Sequence, residues 1–375
     1  MKRLWMSFVS VLLVFSLVLT ACGNSNSAEN NASESAKDIL KTEMEKQADM
    51  KSGKISGDFD LKLGEEVITA MMEEAASNPQ AMMILNQMLD ADVSYRSTFD
   101  YEANQMEFIL DVALGGSEEG AESTMEFSLP IMMNDEAMWI GVPDIDIIAM
   151  FAPQLYGKYI KMSYEELAAM DDAYMYEVSP FELLNENREL QTKAGIDIIN
   201  AVMGPLDEAT FFTQLKADDM ELPDGFKADQ IVQFSLSDDN LEPFVKAMVQ
   251  MVPDVLDVYS NPEYESLFGF TEDDLEEMKS QFESEDITEE DIMTALEEMK
   301  EAIQIEKFYL TQAFSEDLGQ YVSMEADIIA IDNGEQYPFA MNMTSLLSEV
   351  NEKVEYEIGI PSEEDSISIM ELMGL

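Results

Sequence analysis

The chain of 375 residues has no histidine, one cysteine, and only 20 basic residues against 78 acidic ones. Without histidine there is no Ser–His–Asp arrangement, no imidazole metal ligand and none of the commonest general base. The single thiol, Cys22, rules out an internal disulfide and a cysteine zinc site. With a net charge of −58, the scarcity of Lys and Arg excludes nucleic acid as a partner, because phosphates need clustered cations. It also argues against adhesion to anionic lipid through a basic patch. A phosphate-cradling loop is missing too, since Gly115-Gly116 and Gly120 lack both the lysine and the spacing. Carboxylates remain, but nothing marks out a glycosidase-type pair among them, so the expectation is a protein that is not an enzyme. The doublets Asp171-Asp172, Asp218-Asp219, Asp238-Asp239 and Asp273-Asp274 supply oxygens of the kind calcium takes. None sits in an Asp-x-Asp-x-Asp-Gly loop, and Asp144-Ile145-Asp146 comes nearest. Solvated or helix-capping carboxylates are expected there, and no metal.

The N-terminus is more specific. Lys2-Arg3 precedes an apolar stretch from Leu4 to Leu19, broken only by Ser7, Ser10 and Ser16, and then Leu19-Thr20-Ala21-Cys22-Gly23. A basic start, a short apolar run and small residues at its end make a secretory signal. The run falls short of the roughly 20 apolar residues that span a bilayer. Leu19-Thr20-Ala21-Cys22 resembles the lipobox of bacterial lipoproteins. That resemblance implies transfer of diacylglycerol to the Cys22 sulfur and cleavage of the Ala21–Cys22 bond, which leaves the Cys22 amine open to N-acylation. It also implies a place on the extracytoplasmic face of the cell membrane, held by lipid. Residues 1–21 are then a signal peptide. Residues 22–35 are a flexible tether, because Asn24 to Ser35 offers no large apolar residue to repay its ordering. Loss of residues 1–21 takes two positive charges, Lys2 and Arg3, from a net −58 and leaves −60.

Behind the tether, 46% apolar residues are enough for a sizeable core, so the acidity does not signal a disordered tail. Residues 36–51 have the spacing of a helix. Lys54 to Leu63 alternates as a strand, and Glu65 to Leu89 switches to helical spacing with a break at Asn78-Pro79. Four strands follow near 92–101, 104–114, 122–130 and 136–141, and joints this short make an antiparallel meander. Residues 144–226 form a connecting region with helices at Tyr164–Met170, Ile196–Met203 and Asp207–Leu215. The order then repeats: a strand at Gln230–Ser237, a helix at Asn240–Tyr259, and four strands from Ile305 to Pro361, with Asp332-Asn333-Gly334 as a hairpin turn. An acidic helical insertion, 271–303, interrupts the repeat. Thr271 and Thr288 start its two helices, and Ile292, Leu296, Met299 and Ile303 make a narrow apolar face on the second. The expected fold is α+β, with curved antiparallel sheet wrapping helices in two related β-α-β4 halves, 36–228 and 229–375.

Several local stretches carry a further resemblance. Met138-Trp139-Ile140-Gly141-Val142-Pro143 leads to Gly157-Lys158-Tyr159-Ile160-Lys161-Met162; Phe234 to Leu241 leads into a helix; and Glu357-Ile358-Gly359-Ile360-Pro361 closes the chain. With the lipobox, this arrangement looks like the lipoprotein carriers of LolA and LppX type, and like Firmicute lipoproteins of that build. The resemblance implies a sheet curved around an apolar cavity that takes an acyl chain or lipid. Met71, Met72 and Met83 on the first helix, Trp139 on a strand, and Met248 and Met251 on the second helix are the candidate lining. Flexible thioethers suit varied apolar ligands, yet the same stripes serve equally well as an ordinary core. The alternative is an envelope sensor or assembly factor that binds a basic protein partner through the acidic insertion.

Overall fold

The computed structural model describes residues 35–47, 50–75, 91–114, 125–145, 152–170, 187–268, 289–332 and 334–374, with single positions 148, 150, 181, 275, 279 and 280. The signal segment, Ala21, Cys22 and all of the tether but Ser35 lie outside these residues. So do 76–90, two of the acidic doublets and most of 271–288. In chain order the elements are α1 (Ala36–Gln47), β1 (Ser52–Leu63), α2 (Glu65–Ala75), β2 (Ala91–Asp100), β3 (Gln105–Leu114), β4 (Met125–Met133), β5 (Ala137–Gly141) and β6 (Tyr159–Ser163). Then come α3 (Tyr164–Met170), α4 (Arg188–Met203), α5 (Glu208–Phe211), β7 (Phe212–Gln214), β8 (Gln230–Leu236), α6 (Leu241–Tyr259), α7 (Glu265–Phe268) and α8 (Glu289–Ala302). The chain ends with β9 (Ile303–Phe314), β10 (Gln320–Asp332), β11 (Glu335–Ser348), β12 (Ser366–Ser368) and α9 (Ile369–Met373).

Helices and a mostly antiparallel twelve-stranded sheet make this a mixed α and β fold, with strand order β12-β6-β5-β4-β3-β2-β1-β11-β10-β9-β8-β7. No described helix is long and apolar enough to cross a membrane. The chain divides into two compact units interleaved in sequence. One takes α1, residues 63–67 and 187–342; the other takes 50–62, the described part of 68–186, and 343–374.

In the first unit, β7 to β10 pair antiparallel and bury their apolar positions against helices. Phe234 is 2% exposed and lies within 5.6–6.3 Å of the rings of Phe211, Phe212, Phe244 and Phe308. Leu241, Phe244, Ala247 and Met251 recur at helical spacing on α6, and all are buried. α1 docks through Ile39, Leu40 and Met44. Its end is tied down by a buried amide ladder in which Gln47 Nε2 donates to Gln320 Oε1 at 2.7 Å and Gln320 Nε2 donates to Gln312 Oε1 at 3.1 Å. Two expectations need correction here. The helix expected over Asp207–Leu215 stops at Phe211, because Phe212 takes a cross-strand place opposite Phe234 and both adjacent rings become buried. The second insertion helix, expected to run to Ile303, ends at Ala302. Leu296 is 2% exposed, and Ile303 is the first residue of β9 rather than the last of the helix.

In the second unit, β1 to β6 form consecutive antiparallel pairs, and β12 adds to β6 in parallel. A fourth strand after β11 was expected over 353–361 and does not form. Glu349 and Asn351, both at positive φ, turn the chain off β11. The backbone N–H groups of Glu357, Ile358 and Gly359 then all donate to the Glu107 carboxylate at 2.8 Å. Amides committed to a carboxylate cannot also make a ladder.

Candidate functional site

Residues directly opposite in antiparallel strands share a face, so the register of the second unit assigns every side chain of β1–β6 to one side or the other. On one face the side chains stand in apolar rows. Phe59, Val93, Val112 and Phe127 form the first, and Tyr95, Leu110 and Leu129 the next. Phe108, Ile131, Ile140 and Ile160 form a third. Phe99 begins a fourth that continues through Met106, Met133, Met138 and Met162, a methionine on each of four neighbouring strands. Phe99 is 1% exposed, but the four methionines and nearly all other side chains in these rows are only half-buried.

The opposite face is polar and carries a groove of about 830 Å³. Asp58, Asp60, Asp92, Asp111, Glu126 and Asp144 line it with a single lysine, Lys158, and with Pro130 and Tyr159. The whole chain already carries 78 acids to 20 bases, so composition accounts for the sign of the groove and no particular cation is singled out. Among the described residues, no group of three or more acids is placed to hold a metal ion. Asp238 Oδ1 accepts from the Ile305 N–H, and Asp219 Oδ2 from the Lys216 N–H, so both described doublets are engaged with backbone.

Beside the groove, the polar face is crossed by the C-terminal segment. Arg96 pairs with Asp111 on the sheet and grips Glu357 with two nitrogens, at 2.7 and 2.9 Å. That grip holds the Glu357 carboxyl below the usual carboxylate range and raises the Arg96 guanidinium. Further along, Lys161 pairs with Glu363, Lys158 Nζ donates to the Glu364 carbonyl, and Ser368 Oγ donates to Glu166. The buried row Thr98, Glu107, Met132, Trp139 runs between these grips.

Four of the six candidate lining residues have described side chains. Trp139, 3% exposed, packs with Met132, Ala137 and Tyr159, and Lys161 Nζ lies 5.7 Å from its ring centroid. It sits on the polar face, turned away from the apolar rows, because Met138 and Ile140 take the other side of β5. Met251 belongs to the first unit's core at 6% exposure, and Met248 is half-buried on the same helix. Met72 is half-buried on α2, whereas Met83 and the side chain of Met71 lie outside the described residues. The methionine row of β3 to β6 was missed. Each of its members is unremarkable alone, and only cross-strand register brings them into line. Compared with family models, curated proteins and solved structures, the chain has no match in any of the three.

Proposed function

We propose that the protein is a lipoprotein anchored through Cys22 on the extracytoplasmic face of the cell membrane, and that its second unit holds a lipid or other apolar ligand against the apolar face of β1–β6. The half-burial of the rows on that face carries the reading. In the first unit, apolar strand residues such as Val232, Phe234, Leu236 and Leu310 are no more than 2% exposed. Leu110, Leu129, Ile131 and Met133 have the same chemistry and remain half-buried. Thioethers along one row give the face a surface that re-shapes around different chains. Burial of an acyl chain would contribute about 0.8 kcal/mol per methylene, so a partly covered chain of ordinary length suffices for micromolar binding.

Native mass spectrometry of the gently purified mature protein should detect co-purified lipid. After delipidation, a Phe127→Trp variant titrated with oleic acid should shift its emission. Trp139 will not report this event, because it lies on the other face. Leu129→Lys and Met133→Glu, both on β4 and on the same face, should abolish the response while circular dichroism holds. Absence of both co-purified lipid and an emission change would refute the reading.

A further inference from the structure

We propose that residues 349–374 form a releasable strap, closed in this structure, whose detachment uncovers the polar face of β1–β6 and widens the carboxylate groove. The proposal does not depend on an apolar ligand and concerns the other face.

Its first support is what holds the strap down. From Glu349 to Gly374, only Val354 is buried. Ile358 is 41% exposed, Ile360 37% and Met373 52%. The segment's own side chains therefore contribute little to hydrophobic burial, the term that normally makes a segment inseparable from its domain, and the apolar cost of lifting it falls on the sheet row of Met132 and Trp139. The hold is instead a short series of polar grips: Arg96 on Glu357, Glu107 on three amides, Lys161 on Glu363, and a three-residue parallel ladder between β12 and β6. Such grips exchange readily for water, apart from the one at the buried Glu107.

The second support is the corner at which the strap leaves β11. Four non-glycine described residues have positive φ, and two of them, Glu349 at 51° and Asn351 at 59°, lie at this corner. A left-handed glutamate is disfavoured, so the corner is held by its surroundings: Lys51 N–H donates to Asn351 Oδ1, and Asn351 N–H donates to the Ser52 carbonyl. These bonds fix the hinge while the rest of the segment depends on the grips beyond it.

The third support is the connection to the groove. Three groove-lining residues are bound to the strap: Lys158 through the Glu364 carbonyl, Tyr159 through its N–H on the Asp365 carbonyl, and Asp111 through Arg96. Strap and groove wall are thus one hydrogen-bonded assembly. Whatever occupies the groove more tightly with the strap away will drive its release, and by linkage release will raise affinity for that occupant.

Trp139 stands in the same cross-strand row as Glu107, the residue that holds the strap amides, and is the only tryptophan after residue 5, which makes it a built-in reporter. In the full mature chain, amides 357–359 should open at least about tenfold more often than those of the β2–β3 ladder by hydrogen-exchange mass spectrometry. Arg96→Ala should raise the open population about tenfold, seen as greater acrylamide quenching and a red-shifted Trp139 emission with unchanged circular dichroism. Equal protection of amides 357–359 and the β2–β3 ladder would overturn the proposal, as would undiminished shielding of Trp139 in a folded Arg96→Ala protein. Should that variant fail to fold, exchange in the wild-type chain alone decides.

Discussion

Glu107 is 2% exposed and its two carboxylate oxygens receive three backbone N–H groups, so the Glu107→Gln change isolates one charge with almost no change of shape. Oε2 serves Ile358 and Gly359, and Oε1 serves Glu357. A glutamine can keep its carbonyl where Oε2 stood. Its amide group must then face the Glu357 N–H, donor against donor. One hydrogen bond to a charged acceptor is lost, worth about 1.5–3 kcal/mol, and the other two fall to neutral strength, roughly half. Relief of the carboxylate's desolvation offsets part of this, leaving a net loss of about 2 kcal/mol. Because the lost bonds join the sheet to the strap, the loss should appear locally. Exchange at amides 357–359 should accelerate about thirtyfold, while the β2–β3 ladder keeps its protection. If the ladder amides accelerate by the same factor, Glu107 is a core residue of the whole unit and the reasoning fails. Unchanged exchange at 357–359 would show that the three bonds carry no net stability.

Phe234→Ala empties the centre of the first unit's ring cluster and should destabilise that unit by about 3–5 kcal/mol in urea unfolding; a loss under 1 kcal/mol would show that the cluster can collapse around the gap. Acidification should loosen the strap. The folded value of Glu357 lies below its unfolded one, so its contribution is present above about pH 4.3 and disappears as the pH falls through the lower folded value. Quenching of Trp139 should therefore rise below about pH 4, ahead of the change in circular dichroism, and coincident transitions would count against it.

Much of the architecture could be read from local pattern. Alternation placed strands at 92–101 and 104–114 where the structure has Ala91–Asp100 and Gln105–Leu114. Helical spacing located α6 to within a residue, and the turn at Asp332–Gly334 lies between β10 and β11, with Gly334 at φ 84°. The failures share a physical cause, a partner distant in sequence. Residues 353–361 alternate like a strand, yet their amides go to Glu107, some 250 positions earlier. The face on which Trp139 lies follows from alternation alone, but that a C-terminal segment would cover that face does not. The methionines of β3 to β6 are spread over 57 positions, from Met106 to Met162, and become one surface only through cross-strand pairing. At the groove, carboxylates gather because the chain has little else that is charged.

The start of α1 bears on mechanics. The Ala36 N–H, one residue past the tether, donates to Glu208 Oε1 at 2.7 Å, and the far end of the helix is fastened through Gln47 to Gln320. If Cys22 is lipid-anchored, drag on the body is transmitted to the membrane through this helix, and the load enters at its first turn. With a fastening at each end, the helix comes away only when both have broken. Among the described residues, a load that enters at Ala36 therefore meets one fastening at once, on Glu208, and a second at the far end of the helix, on Gln320.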